Sequence, residues 1–181
     1  GLKLLETAKD KSLGQQATVV IIGRSYNSFD QAVSLDISGK LTRLDVLPIP
    51  MDMLPLDSVN IKDEWSNLYW RSGQRIIRAS KFLHKLDEVY PLFITNFSCG
   101  PDSFIINYFK EEMLQKPYLI LEIDEHSADA GIVTRLEAFI DSVKSREEKR
   151  SEQIFIPLSI KTSNKDLSKR TIYIPRMSDH A

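Results

Sequence analysis

Two short apolar runs with one helical pattern between them constrain the fold of this chain more than any other feature. The first run covers residues 91–95 and enters a polar loop, and the second covers residues 118–123 and ends in Asp124, Glu125 and His126. Such a pattern predicts a βαβ unit with parallel strands, whose carboxyl ends reach the same edge of the sheet. Open α/β sheets bind their ligands at that edge.

Two earlier apolar runs raise the expected number of strands to four. Residues 18–23 form an unbroken run rich in β-branched side chains, which is typical of a strand buried on both faces. Residues 45–50 form a shorter run, and its prolines favour an edge of the sheet. These runs predict the first two strands.

Helical patterns alternate with the apolar runs. The spacing of apolar residues predicts a helix through Val33, Ile37, Leu41 and Leu44, a long helix at residues 64–83, a helix after Cys99 and a last helix at residues 130–150. This alternation predicts a doubly wound, three-layer αβα fold, Rossmann-like or flavodoxin-like. Its mainly parallel sheet would have four to five strands, with the order 2-1-3-4.

Length and composition are those of one globular domain of ordinary size. Hydrophobic residues make up 42% and charged residues 27% of the 181 residues, as in ordinary globular proteins. We interpret residues 1–150 as a Rossmann-like subdomain of a larger protein. Residues 151–181 are interpreted as a carboxyl-terminal strand and linker that lead towards a following subdomain.

Charge and hydropathy argue against several classes of partner. The chain has 24 basic and 25 acidic residues, so no global field attracts nucleic acid or an anionic membrane. No apolar run approaches the roughly 20 residues that span a bilayer, and no signal peptide is recognisable. The single cysteine excludes an internal disulfide. We therefore expect a cytoplasmic protein without nucleic-acid or membrane partners.

The single cysteine stands in an informative loop. Cys99 directly precedes Gly100 and Pro101, and proline suits the first turn of a helix because its missing N–H needs no partner there. A cysteine just ahead of a helix amino terminus is favoured as a thiolate, or as the anchor of an anionic cluster. The alternative role is that of a small buried apolar residue.

Polar side chains follow three of the predicted strands and define a candidate ligand crevice. Its expected members are Arg24, Tyr26 and Asn27 after the first strand, Asn96 and Ser98 after the third, Asp124, Glu125 and His126 after the fourth, and Arg135 in the last helix. The chain has neither a Gly-x-Gly-x-x-Gly fingerprint nor a Gly-Lys-Ser/Thr motif, so no nucleotide-binding motif supports this crevice.

Several motifs resemble those of a known family. Residues 96–104 read Asn-Phe-Ser-Cys-Gly-Pro-Asp-Ser-Phe, and residues 116–131 and 134–139 are two further segments that resemble the same family. Residues 23–27 read Gly-Arg-Ser-Tyr-Asn, where the family usually has Gly-Arg-Pro-Tyr, so Ser25 departs from its pattern. Over residues 19–141 the chain resembles the 2-hydroxyacyl-CoA dehydratase and acyl-CoA dehydratase activase-related protein family.

This resemblance implies an iron–sulfur protein. Dehydratases of the family hold a [4Fe–4S] cluster between Rossmann-like subdomains and receive an electron from an ATP-hydrolysing activator. The resemblance implies that Cys99 is a cluster ligand in the full-length protein. It also implies that neighbouring subdomains are partners of this region and that an acyl-CoA is the substrate. With one cysteine the site is incomplete here, so we expect no cofactor and no activity in the isolated chain. The resemblance also places Asp124, Glu125, His126 and Arg135 in family motifs. It assigns no separate catalytic role to any of them.

Two other functions stay open from the residues alone. The chain could be a flavodoxin-like module that binds a small anion, a nucleotide or part of CoA without redox chemistry. It could also be a small hydrolase or metal enzyme that uses Cys99 or Asp124 with His126. Cys99, Asp124, Glu125 and His126 are the side chains that could ligate zinc.

Overall fold

The computed structural model describes residues 17–114 and 116–153 of the chain. Four parallel strands form one sheet in the order β2-β1-β3-β4. The strands are β1 (Ala17–Ile22), β2 (Val46–Pro50), β3 (Val89–Asn96) and β4 (Leu119–Ile123). This arrangement confirms the predicted strand order and the Rossmann-like or flavodoxin-like class.

Five helices connect and follow the strands within the described residues. They are α1 (Ser25–Phe29), α2 (Ile37–Arg43), α3 (Arg71–His84), α4 (Gly100–Glu112) and α5 (Asp129–Gln153). Two short 3₁₀ turns, Met51–Met53 and Leu56–Ser58, lie in the long connection between β2 and α3.

The side chains of β3 alternate between the two faces of the sheet. Phe93 packs with α3 and α4, and its ring meets that of Phe109 edge to face with centroids 5.3 Å apart. Leu92 and Ile94 lie on the other face and pack with α2 and α5, where Leu136 is fully buried. Because successive strand residues face opposite sides, both faces are covered by helices, which gives the three αβα layers.

The register of the strands brings the loops at the carboxyl edge together. Ile22 ends β1 opposite Phe93, so β3 continues for three more residues beyond β1. Asn96, the last residue of β3, lies opposite Ile123, the last residue of β4. The loop after β1 therefore passes beside the end of β3, and the loops after β3 and β4 begin at the same level.

The segment before α3 differs from the predicted helix at residues 64–83. The helix begins only at Arg71, and residues 64–70 form turns and irregular structure. The Trp65 ring packs edge to face on Tyr108 with centroids 4.3 Å apart, whereas Tyr69 is 85% exposed. The prediction was wrong here because tertiary packing of the aromatic rings overrides the apolar periodicity.

The helix between β1 and β2 is also shorter than its apolar stripe. Ile37 and Leu41 are buried as expected, but Val33 is 44% exposed. The residues just before α2, Leu35 and Asp36, have φ angles of 50° and 52°, a left-handed conformation that a continuous helix does not allow. The helix therefore cannot begin before Ile37.

The last helix follows its prediction closely. The expected range was 130–150, and α5, with 25 residues, is the longest described helix. Across residues 17–114 and 116–153, no helix is both long and apolar enough to cross a membrane. The carboxyl-terminal strand and linker were predicted at residues 151–181. Residues 154–181 of that range lie outside the described residues.

Lys116 closes the carboxyl-terminal end of α3. Its Nζ donates hydrogen bonds to the backbone oxygens of Leu83, at 2.8 Å, and Leu86. The ammonium also lies 5.7 Å from the centroid of the Tyr90 ring. The Leu83 oxygen also accepts the backbone N–H of Leu86 at 3.1 Å, so the lysine adds a side-chain donor to the turn that ends the helix.

The burial of Lys116 predicts a pH-dependent stability. Burial lowers the pKa of Lys116 to about 8, whereas an unfolded lysine has a pKa of about 10.4. Between these two values the unfolded chain binds more protons than the folded chain, so the unfolding free energy rises with pH. Urea denaturation between about pH 7.5 and 9.5 should show this rise in wild type and not in Lys116→Met. Parallel pH profiles for the two proteins would contradict it.

Candidate functional site

The loops after β1 and β3 bring Arg24 and Cys99 into contact. Arg24 precedes α1, and Cys99 precedes α4, the helix predicted from Gly100 and Pro101. The Arg24 Nη2 group donates a hydrogen bond to the Cys99 sulfur. Two residues 75 positions apart in the chain, both expected at the carboxyl edge, are thus direct neighbours.

A buried carboxylate holds the guanidinium of Arg24 in place. Arg24 Nη2 lies 2.9 Å from Oδ2 of Asp102, a residue that is 1% exposed. The Thr95 hydroxyl donates to the same oxygen at 2.7 Å. Thr95, Asp102, Arg24 and Cys99 therefore form a continuous chain of contacts, which we call the Cys99 network.

Arg24 remains a cation in this environment. Burial acts to lower its pKa, but the hydrogen bond and negative charge of Asp102 outweigh burial and raise the pKa above its ordinary value. The guanidinium carbon also lies 5.2 Å from the centroid of the Tyr26 ring and 5.9 Å from that of Trp70. Aromatic faces attract cations, so both rings stabilise the guanidinium position.

The helix amino terminus beside Cys99 opens to free space. No side chain caps α4, and a Cβ atom built on Gly100 would meet no atom within 4 Å. Cys99 itself is partly exposed. The unpaired N–H groups of a 13-residue helix give this end a partial positive charge, so the surroundings favour an anionic group at the sulfur.

Sequence patterns alone missed Asp102 and Thr95 as members of the network. Asp102 lies in the first turn of α4, where an acidic residue is ordinarily explained by the helix dipole. Thr95 is a buried residue near the end of β3, a position that also suits simple packing. The position of Asp102 three residues after Cys99 was the one available signal.

Asn27 lies inside the molecule instead of on the crevice surface. It is fully buried, and neither its amide nitrogen nor its amide oxygen has a hydrogen-bond partner. Arg24 Nε and Asp102 Oδ1 are buried without a partner as well. Unsatisfied buried polar groups are rare, and four such atoms belong to Arg24, Asn27 and Asp102, two of which are members of the Cys99 network.

A second group of predicted residues lines a separate cleft of about 490 Å³ at the same edge. Asn96, Asp124 and Glu125 line it together with the apolar side chains of Val33 and Phe97. The hydrogen bond that Asp124 accepts from the Ser127 hydroxyl, at 2.8 Å, lowers the pKa of Asp124. This cleft therefore combines carboxylate and apolar side chains in its lining.

The remaining predicted residues are exposed at the surface. His126 Nε2 lies 3.7 Å from a Glu125 oxygen, and both side chains are more than four-fifths exposed. Ser98 and Arg135 are exposed too. Within the described ranges, no three His, Cys, Asp or Glu side chains are grouped so that they could hold a metal ion.

This chain has one cysteine, which could ligate one iron atom of an iron–sulfur cluster. Such clusters are usually held by about four cysteine thiolates, and the sequence has a single cysteine. Cys99 is accessible, lies beside a cation and has open space over the adjacent helix end. Further ligands would have to come from other polypeptide segments.

Comparisons with known proteins returned no relatives. No protein-family model matches the chain, no curated protein is significantly similar to it, and no solved structure matches its fold significantly.

Proposed function

We propose that this chain is a cluster-supporting α/β subdomain of an iron–sulfur protein, of the 2-hydroxyacyl-CoA dehydratase or activase-related kind that its motifs resemble. In this proposal Cys99 is one ligand of a [4Fe–4S] cluster. The observation that carries it is the partly exposed Cys99 sulfur at the amino terminus of α4, in contact with the Arg24 guanidinium.

Electrostatics support an anionic ligand at this place. Cysteine binds metals as a thiolate, so a cluster ligand and its cluster bring negative charge to the loop. The guanidinium and the helix amino terminus both compensate negative charge. Asp102 neutralises part of the guanidinium charge, and its hydrogen bond to the same Nη2 group also holds Arg24 beside the sulfur.

The remaining parts of the proposal follow from the family resemblance. About three more thiolates would come from neighbouring subdomains, and an ATP-hydrolysing activator would supply the electron. An acyl-CoA would be the substrate of the whole protein. No catalytic step is assigned to a residue of this chain.

Anaerobic reconstitution of the full-length protein tests the proposal. Cys99→Ser and Cys99→Ala should lose most of the iron and sulfide that wild type retains, because removing one thiolate leaves an iron atom without its ligand. Ser142→Ala, an exposed change on α5, should retain the wild-type content. Full iron and sulfide content in both Cys99 variants, with an unchanged electron paramagnetic resonance spectrum, would refute ligation by Cys99.

A further inference from the structure

Exposed apolar side chains are concentrated at one end of the molecule. Eight large apolar side chains are exposed in the described ranges: Tyr26, Phe29, Val33, Met53, Tyr69, Phe97, Phe104 and Leu114. Seven of these eight lie in the segments that follow the strands at the carboxyl edge or just before α3, and Leu114, just beyond α4, lies at the opposite end. Exposed apolar side chains that are distributed singly over a protein surface need no explanation. Exposed apolar side chains that are grouped at one end are typical of an interaction surface.

Five of the seven are aromatic, and we call them the edge aromatics: Tyr26, Phe29, Tyr69, Phe97 and Phe104. Their exposure is large, reaching 64% for Phe97 and 85% for Tyr69. Aromatic side chains are enriched in the buried centres of protein interfaces because they provide large contact areas at low entropic cost. The edge aromatics therefore fit a polypeptide partner.

Charges at the rim narrow the chemistry of that partner. Asp30, Asp124 and Glu125 stand on the side of the surface formed by the loops after α1 and β4. All three side chains are carboxylates, which are ionised at neutral pH unless their surroundings raise the pKa well above its ordinary value. Two arginines also stand at this edge: Arg24, which contacts Asp102 and the Cys99 sulfur, and Arg71, the exposed first residue of α3, which belongs to neither of these two loops. An acidic rim repels phosphate groups and anionic lipid headgroups, and it attracts lysine and arginine side chains.

We infer that the edge aromatics form a docking surface for a polypeptide segment with apolar side chains at its centre and basic side chains at its flank. The surface adjoins Cys99, since the Tyr26 ring lies beside the Arg24 guanidinium that contacts the sulfur, and Phe97 is two residues from the cysteine. A docked segment would thus cover the sulfur. This inference is independent of whether Cys99 binds a cluster.

Fluorescence anisotropy with two designed peptides tests the docking surface. Both peptides have a helical face of Leu and Phe, flanked by Lys in one and by Glu in the other. The Lys peptide should bind wild type at least about tenfold more tightly than the Glu peptide at low salt, because like charges across an interface are unfavourable. Equal affinities, or no binding of the Lys peptide, would overturn the inference.

Matched variants locate the binding. Phe97→Ser and Tyr69→Ser should each weaken the Lys peptide several-fold, whereas Leu114→Ser, which removes an equally exposed apolar side chain at the other end, should not change the affinity. Loss of binding in Leu114→Ser alone would place the contact elsewhere. Self-association of the chain in sedimentation, if abolished by Phe97→Ser, would identify a second copy instead of a basic segment. Binding to anionic phospholipid vesicles in preference to the peptide would also overturn the inference.

Discussion

Asp102→Ala is expected to lower the unfolding free energy by about 2–4 kcal/mol. The change removes the carboxylate that pairs with Arg24, whose side chain is only 19% exposed. It also removes the closer acceptor of the buried Thr95 hydroxyl, which keeps only the Asn96 backbone oxygen at 3.5 Å. A cation left without its partner in a largely buried position costs far more than the loss of a surface ion pair. Urea denaturation followed by circular dichroism measures the change.

A double-mutant cycle separates the ion pair from other effects of Asp102→Ala. In an Arg24→Met background the cation is absent, so Asp102→Ala should cost about 1–3 kcal/mol less than it does in wild type. Asp141→Ala, an exposed aspartate on α5, is the matched control and should change stability by less than about 0.5 kcal/mol. Equal costs of Asp102→Ala in both backgrounds would mean that the ion pair does not stabilise the fold.

Gly23→Ala is expected to destabilise the fold by about 1–3 kcal/mol because the added methyl group has no space. A Cβ atom at Gly23 would lie 2.7 Å from the backbone oxygen of Ile94 and 2.9 Å from the Ser28 hydroxyl. The nearest obstacle is the backbone of β3, the central neighbour of β1, so relief requires the strand or the loop to move. The loop that carries Arg24 should shift with it.

Gly100→Ala provides the matched control for this glycine. It is also a glycine-to-alanine change at the carboxyl edge, but its Cβ atom would meet nothing within 4 Å, so stability should stay within about 0.5 kcal/mol of wild type. Chemical denaturation of both variants makes the comparison. Equal stabilities of the Gly23 and Gly100 variants would show that the close approach of β1 and β3 is relaxed at little cost.

The sheet could be predicted from the sequence because each strand has a local signal. The unbroken run at residues 18–23 and the prolines at 45–50 predicted a central and an edge strand, and β1 and β2 take those positions. Helix α4 was predicted from the Gly100 and Pro101 pair, which acts within one turn of the chain. Signals of this kind need no knowledge of distant residues.

The helix boundaries that failed depend on contacts between distant segments. Trp65 has helical spacing with later apolar residues, but the chain around it is not helical. Its ring packs on Tyr108, a residue of α4. Val33 likewise continues the stripe of α2 in sequence, but left-handed residues interrupt the helix before Ile37. No local pattern distinguishes these cases from ordinary amphipathic helices.

The candidate site was predictable as a location and less so as a set of contacts. Parallel strands bring the loops after their carboxyl ends to one edge of the sheet. Arg24 and Cys99 could therefore be expected to lie near each other. Sequence patterns could not assign Asp102 as the partner of Arg24, nor separate the Cys99 network from the cleft at Asp124. These distinctions depend on side-chain directions that only the packed structure fixes.

Alkylation of Cys99 by iodoacetamide, measured by mass spectrometry on the anaerobically purified full-length protein, tests the central claim most directly. The measurement is made before and after iron is removed with a chelator. Ligation predicts that the sulfur is protected while iron is bound and becomes alkylated after its removal, because a metal-bound thiolate is not a free nucleophile. Equal alkylation in both states would contradict the assignment of Cys99 as a cluster ligand.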